Sequence, residues 1–137
     1  MIVADTGAVL SLLDADDRHH AVLRGLFEQR TAAWLLPWAI LPEVDYLAHT
    51  QLGARVAEAF RSDLAAGAFV IEWGTHADLD RAHELNRRYR AIDLGLVDGV
   101  VMAIAERRRA EAIATLDLRH FAAVRLQGNP KLFPRDL

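Results

Sequence analysis

The stretch MIVADTGAVLSLLD, residues 1–14, sets an apolar run directly before an acid and a short apolar segment directly after it. Met1 to Asp5 reads as a short strand buried on both faces, and Gly7 to Leu13 as a short helix. A charged residue that ends a buried strand is either a turn or cap residue or part of a site. Which of these holds for Asp5 depends on whether the pattern recurs, and the same recurrence decides the fold.

It does recur. After the polar break DADD (14–17), Asp17 can cap a helix through Arg30, with Val22, Leu23, Leu26 and Phe27 facing inward. Trp34 to Pro37 reads as a second strand. Pro42 suits the first position of a helix running to about Thr50. A further helix spans Ala54 to about Ala66 and stops at Gly67. Phe69 to Trp73 reads as a third strand. Thr75 can cap a helix to about Arg90, and Asp93 the next, through about Arg109. AIATL (112–116) is a fourth strand, Leu118 to Phe121 a short helical turn, and the tail after Ala123 can add a last strand. Short apolar strands alternating with helices predict an α/β fold: a three-layer sandwich with a small parallel sheet flanked by helices. Binding sites of such sheets gather beyond the carboxyl ends of the strands.

Composition narrows the class. A chain of 137 residues with 53% hydrophobic content is expected to form a single domain, residues 1–137. It buries about two thirds of its unfolded surface. There is no Cys, so disulfides and thiolate metal sites are excluded. Asp5 interrupts the first apolar stretch and no basic region precedes it, so no signal peptide is expected. No apolar run is long enough for a membrane span, and a cytoplasmic protein is expected. The net charge of −3 does not advertise nucleic-acid binding, yet of the 16 basic residues only Lys131 is not Arg. Arg grips phosphate with a bidentate fork, although a codon bias toward Arg explains the count equally well.

Asp117 ends AIATLD much as Asp5 ends the first strand. Thr6 adjoins Asp5, and Thr115 alternates to the same face as Asp117. Two further acids stand early in helices. Glu43 falls in the first turn after Pro42. Asp98 sits at the edge of the apolar stripe formed by Val97, Val100, Val101, Ile104 and Ala105. Each acid taken singly reads as a cap, a turn residue or a response to the helix dipole. All four at equivalent edges of one small α/β domain are harder to explain so. Clustered carboxylates need a cation, because mutual repulsion otherwise protonates some of them. No Arg lies within a few residues of Asp5 or Asp98, and oxygen-only donors select Mg²⁺ or Mn²⁺.

IVADTGAVLSLLD, LPEVDYL, LGLVDGVVMAIAERR and IATLDLRHFAAVRL occur in an order and at spacings that resemble PIN-domain ribonucleases, and among them the VapC-type toxins of bacterial toxin–antitoxin pairs. The resemblance spans nearly the whole chain. It implies a small parallel sheet between helices, a homodimer, and an acidic metal site. Asp5, Glu43, Asp98 and Asp117 match the four acids of the family, and Thr6 and Thr115 its hydroxyl positions. The implied activity is Mg²⁺- or Mn²⁺-dependent cleavage of RNA, often tRNA or rRNA, which inhibits translation. The implied partner is a VapB-type antitoxin that blocks the site with a basic side chain. The expected chemistry is in-line attack of water on the scissile phosphate, with one or two ions held by the carboxylates.

The alternative within the same fold is a PIN-like module that binds RNA or protein without cleaving; the intact set of acids argues against it. A haloacid dehalogenase-type phosphatase wants D-x-D after the first strand, where this chain has ADTG. A phospho-receiver wants a lysine near the last strand, and the only lysine is Lys131. Other residues keep two readings. Asp93 reads as a helix cap before a site residue, and Asp45 as a surface residue on a different face from Glu43. Arg107 to Arg109 suit a helix C-terminus better than RNA contact. Arg87, Arg88 and Arg90 either grip RNA phosphates, with Tyr89 stacking on a base, or form a solvated helix end. His19, His20 and His120 lack the paired spacing of a zinc helix and read as surface residues. Trp34, Trp38 and Trp73 read as core, with a partner surface as the second reading.

Overall fold

The computed structural model describes residues 1–29 and 34–137. Its elements follow the order read from the sequence: β1 (Ile2–Ala4), α1 (Thr6–Leu13), α2 (His20–Gln29), β2 (Trp34–Pro37), α3 (Leu41–Leu52), α4 (Ala54–Ala66), β3 (Val70–Glu72), α5 (His76–Arg88), α6 (Leu96–Arg107), β4 (Ala112–Ala114), α7 (Leu118–Phe121) and β5 (Lys131–Phe133). The strands form one sheet in the order β3-β2-β1-β4-β5, and every neighbouring pair is parallel.

Ile2, Val3 and Ala4 of β1 and Ala112, Ile113 and Ala114 of β4 are wholly buried. Successive side chains of a strand point to opposite faces, so burial of every one means that helices cover both sides. This is the expected three-layer arrangement. α6 supplies much of the covering, since Gly99 through Ala105 are all buried. Leu23 and Leu26 of α2 join the core, and Phe27 packs edge-on against Trp34 at 5.6 Å between ring centroids.

The chain leaves β1 for β2 on one side of the sheet, and β4 returns to β1 on the other. The carboxyl ends of β1 and β4 therefore flank the point where the winding reverses. Loops diverge there and leave a crevice, which places the segments after β1 and β4 side by side.

Several expectations need correction. Val22 is 41% exposed, because a helix begun at His20 turns Leu23 and Leu26 inward and Val22 out. The expected helix end at Arg30 lies outside the described residues. Only Trp34 of the three tryptophans is core; Trp38 is 40% and Trp73 73% exposed. Asp93 does not cap α6. It adopts φ 54° at the end of a 3-10 turn, and α6 starts three residues later behind Gly95, φ 89°. Asn86 on α5 replaces a side-chain cap by holding Gly95 at both ends. Its Oδ1 accepts from the Gly95 N–H (2.8 Å) and its Nδ2 donates to the Gly95 carbonyl (2.9 Å). The α5–α6 hairpin closes so tightly that a Cβ on Gly99 would stand 2.8 Å from Asn86 Nδ2 and 3.0 Å from Ala82 Cβ.

The far end of the hairpin is bound by charge. Arg107 donates to Asp78 Oδ1 (2.8 Å) and Oδ2 (3.0 Å) and also to Glu72, which in turn accepts from Arg108 (3.1 Å). Arg81 forks onto Glu106 at 2.7 and 3.1 Å. Arg107 and Arg108 therefore serve the fold through ion pairs with β3 and α5, more specifically than an interaction with the helix dipole requires.

Candidate active site

An open recess of about 410 Å³ lies at the crevice and is lined by Asp5, Glu43, Asp98 and Asp117. Each acid arrives by a different route. Asp5 ends β1 and caps α1, accepting from the Ala8 N–H (3.1 Å). Glu43 stands in the first turn of α3, and Asp98 in the first turn of α6. Asp117 follows β4 and caps α7, accepting from the His120 N–H (3.1 Å). The cap readings and the clustering are thus both true of Asp5 and Asp117. Leu10, Leu47 and Leu116 give the recess apolar walls, and Thr6 and Gly7 complete it.

The two threonines behave differently. Thr115 is 1% exposed. Its hydroxyl donates to Asp5 Oδ2 (2.5 Å) and accepts from the Asp117 N–H (3.0 Å), so it links the segments after β1 and β4. The Thr6 hydroxyl is also buried, but it has no hydrogen-bond partner among the described residues. A buried hydroxyl left unpaired costs on the order of 1–3 kcal/mol.

The electrostatics are those of crowded, partly buried carboxylates. Burial pushes the Asp5 carboxyl up to about 6 against the hydrogen bonds from Thr115 and Ala8, and the charges of Asp98 and Asp117 add to the rise. Burial also raises Asp98; His120 opposes the rise, and Asp117 and Glu43 reinforce it. Among the described residues no Arg or Lys forms an ion pair with any of the four acids. A divalent cation would relieve both the desolvation and the repulsion, so the donor set fits one.

His120 joins the site, against its reading as a surface residue. Its Nδ1 lies 2.7 Å from Asp98 Oδ2 and 3.0 Å from Asp117 Oδ2, and the three side chains form a group able to hold a metal ion. The sequence signal was the i, i+3 spacing of Asp117 and His120 across a helix cap, which carries meaning only once α7 forms.

Other candidates lie outside the recess. Asp45 pairs with Arg61 at 2.6 Å, tying α3 to α4, and Asp93 serves the 3-10 turn. Arg87, Arg88 and Arg90 are exposed at the end of α5, which Asn86 joins to the start of α6, one turn from Asp98. The Tyr89 hydroxyl accepts from the Arg125 N–H (3.2 Å), which brings Arg125 to the same region.

The PIN domain model matches residues 2–126. Ribonuclease VapC26 of Mycobacterium tuberculosis is 30% identical over 124 residues, covering 90% of this chain and 92% of that protein. Among solved structures, M. tuberculosis VapC20, described as a sarcin–ricin loop cleaving toxin, superposes with a TM-score of 0.80 at 21% identity, over 93% of this chain and 98% of its own. FitAcB of Neisseria gonorrhoeae superposes with a TM-score of 0.65 at 15% identity, over 97% and 96%. A family model spanning nearly the whole chain and a VapC relative of matching length agree with a parallel sheet that gathers four acids at its crevice: the chain belongs to the PIN domain family, in its VapC-type branch.

Proposed function

We propose that the protein is an endoribonuclease toxin of a type II toxin–antitoxin system, hydrolysing phosphodiester bonds in tRNA or rRNA in the cytoplasm and so inhibiting translation. The observation that carries this reading is the convergence of Asp5, Glu43, Asp98 and Asp117 from four separate elements on one recess. The names of its relatives, a ribonuclease and a toxin, support it. An inactive binding module would have no need to keep four carboxylates together with no Arg or Lys ion-paired to them among the described residues.

The carboxylates hold Mg²⁺ or Mn²⁺, Asp5 and Asp98 from the more buried positions and Glu43 from the exposed rim. When bound, such an ion supplies Lewis acidity toward the phosphate and lowers the pKa of water. The chain itself does the rest. Thr115 fixes Asp5, and the Ala8 N–H fixes its second oxygen. Thr6 stands beside Asp5 on the recess wall. Arg87, Arg88 and Arg90 hold flanking backbone phosphates. A VapB-type antitoxin closes the recess with a basic side chain. The protein acts as a homodimer, and exposed Trp38 and Trp73 give it apolar surface for that contact or for the antitoxin.

The test is to express wild type and Asp98→Asn in a bacterial host and to map new RNA 5′ ends across the transcriptome. Discrete new ends with wild type alone are expected. Equal cleavage by Asp98→Asn at matched expression would remove the site assignment, and soluble wild type that produces no new ends and binds no Mn²⁺ in calorimetry would favour a non-cleaving binder.

A further inference from the structure

His120 touches the carboxylates of two of the four acids. Its ring nitrogen Nδ1 stands 2.7 Å from Asp98 Oδ2 and 3.0 Å from Asp117 Oδ2. Its backbone N–H also donates to Asp117 Oδ1 at 3.1 Å. A bare ring lone pair at those distances would face two anionic oxygens, so Nδ1 carries the hydrogen and donates it to Asp98 Oδ2, with Asp117 Oδ2 in close polar contact beside it. Asp117 is thus held at both oxygens by one residue. Asp98 is tied across 22 positions of sequence to a helix of only four residues. Without that tie the two carboxylates repel, and nothing else described fixes the Asp98 side chain.

We propose that His120 is a positioning residue: its ring bridges Asp98, through the Nδ1–H hydrogen bond, and Asp117, through close polar contact, and holds both carboxylates aimed at the recess before a cation arrives. The inference rests on the reading of the recess as a divalent-cation site. Outer partners that orient carboxylate ligands typically change metal affinity by about 10–100-fold when removed. The imidazole here acts through the acids and takes no part in bond making.

The test titrates Mn²⁺ into the metal-free full chain by calorimetry at one fixed pH, without RNA. Wild type is compared with His120→Asn, His120→Gln and His120→Leu, and each melting temperature is recorded. The amide nitrogen of Asn falls near the place of Nδ1, so His120→Asn is expected to bind Mn²⁺ close to wild type. Gln sets its amide near Nε2 instead. His120→Gln and His120→Leu are expected to bind at least roughly tenfold more weakly. Should Leu fail to fold, the contrast between Asn and Gln still decides. Equal affinity in all four proteins overturns the bridge and leaves the cation site standing. A loss in His120→Asn as large as in His120→Leu makes the ring itself a ligand and also overturns it. Wild type that binds no Mn²⁺ removes the cation site, and the bridge with it.

Discussion

Asp5 is 6% exposed, and its carboxyl is pushed up to about 6 chiefly by burial. A carboxyl raised above its unfolded value binds more protons in the folded state, so stability falls as pH rises through that interval. In metal-free protein the ionised Asp5 is therefore a burden above pH 6 and none below about 4. Asp5→Asn removes the burden but disturbs the hydroxyl bond from Thr115. We expect metal-free Asp5→Asn to exceed wild type by about 1–2 kcal/mol at pH 8, the gap closing as pH falls from 6 to 4. Added Mn²⁺ should raise the melting temperature of wild type at pH 8 and not that of the variant. A gap that does not change with pH would contradict this account. At this scale the sequence was most legible where a residue's place follows from its own element. Asp5, Glu43, Asp98 and Asp117 each stand at an element boundary, and a boundary can be read from hydrophobic pattern. His120 was illegible because its partner Asp98 comes from another helix, and only packing brings the two together.

Among the elements, α5 and α6 are joined at one end by Asn86 and Gly95 and at the other by Arg107 with Asp78 and Glu72. Asp78 also closes a capping box with Thr75. Burial would raise its carboxyl, but hydrogen bonds from Arg107 and the Thr75 N–H outweigh burial and hold it below the usual range. Stability from such a group is complete above the unfolded value and is lost as pH falls toward the lower folded one. Asp78→Ala should cost about 2–3 kcal/mol at pH 7, from the lost cap and the uncompensated Arg107. Urea unfolding measures it, and the cost should shrink below pH 4. A cost under about 0.5 kcal/mol would show the network to be ornamental. Strands and helices were legible because apolar periodicity and Pro and Gly punctuation agree along the chain. The start of α6 was not, since Asp93 has the chemistry of a cap while Asn86, on another helix, supplies the bonds.

For the whole molecule, charge is distributed rather than summed. The net charge of −3 hides an acidic recess and a group of exposed arginines at the end of α5 that form no ion pair among the described residues. If Arg87, Arg88 and Arg90 hold phosphates, replacing all three by Gln should weaken RNA binding to the Asp98→Asn protein and flatten its salt dependence. The logarithmic slope should drop by about 2, near 0.7 per contact on single strands. An unchanged slope would return these residues to a solvated helix end. The parallel sheet and its crevice were readable from the alternation of strands and helices. The exposure of Trp38 and Trp73 was not, because aromatic composition does not say which face of a fold stays uncovered.

The hydroxyl of Thr115 reaches a carboxylate 110 residues earlier in the chain, and β1 cannot complete its place in the sheet until β4 pairs with it. β1 is central and waits for β4. A growing polypeptide therefore carries its N-terminal acid through most of synthesis without Asp117 or Thr115 to complete the recess. A fragment that stops before residue 115 lacks both the hydroxyl that fixes Asp5 and one of the four acids of the recess, and expressed alone it is expected to cleave no RNA.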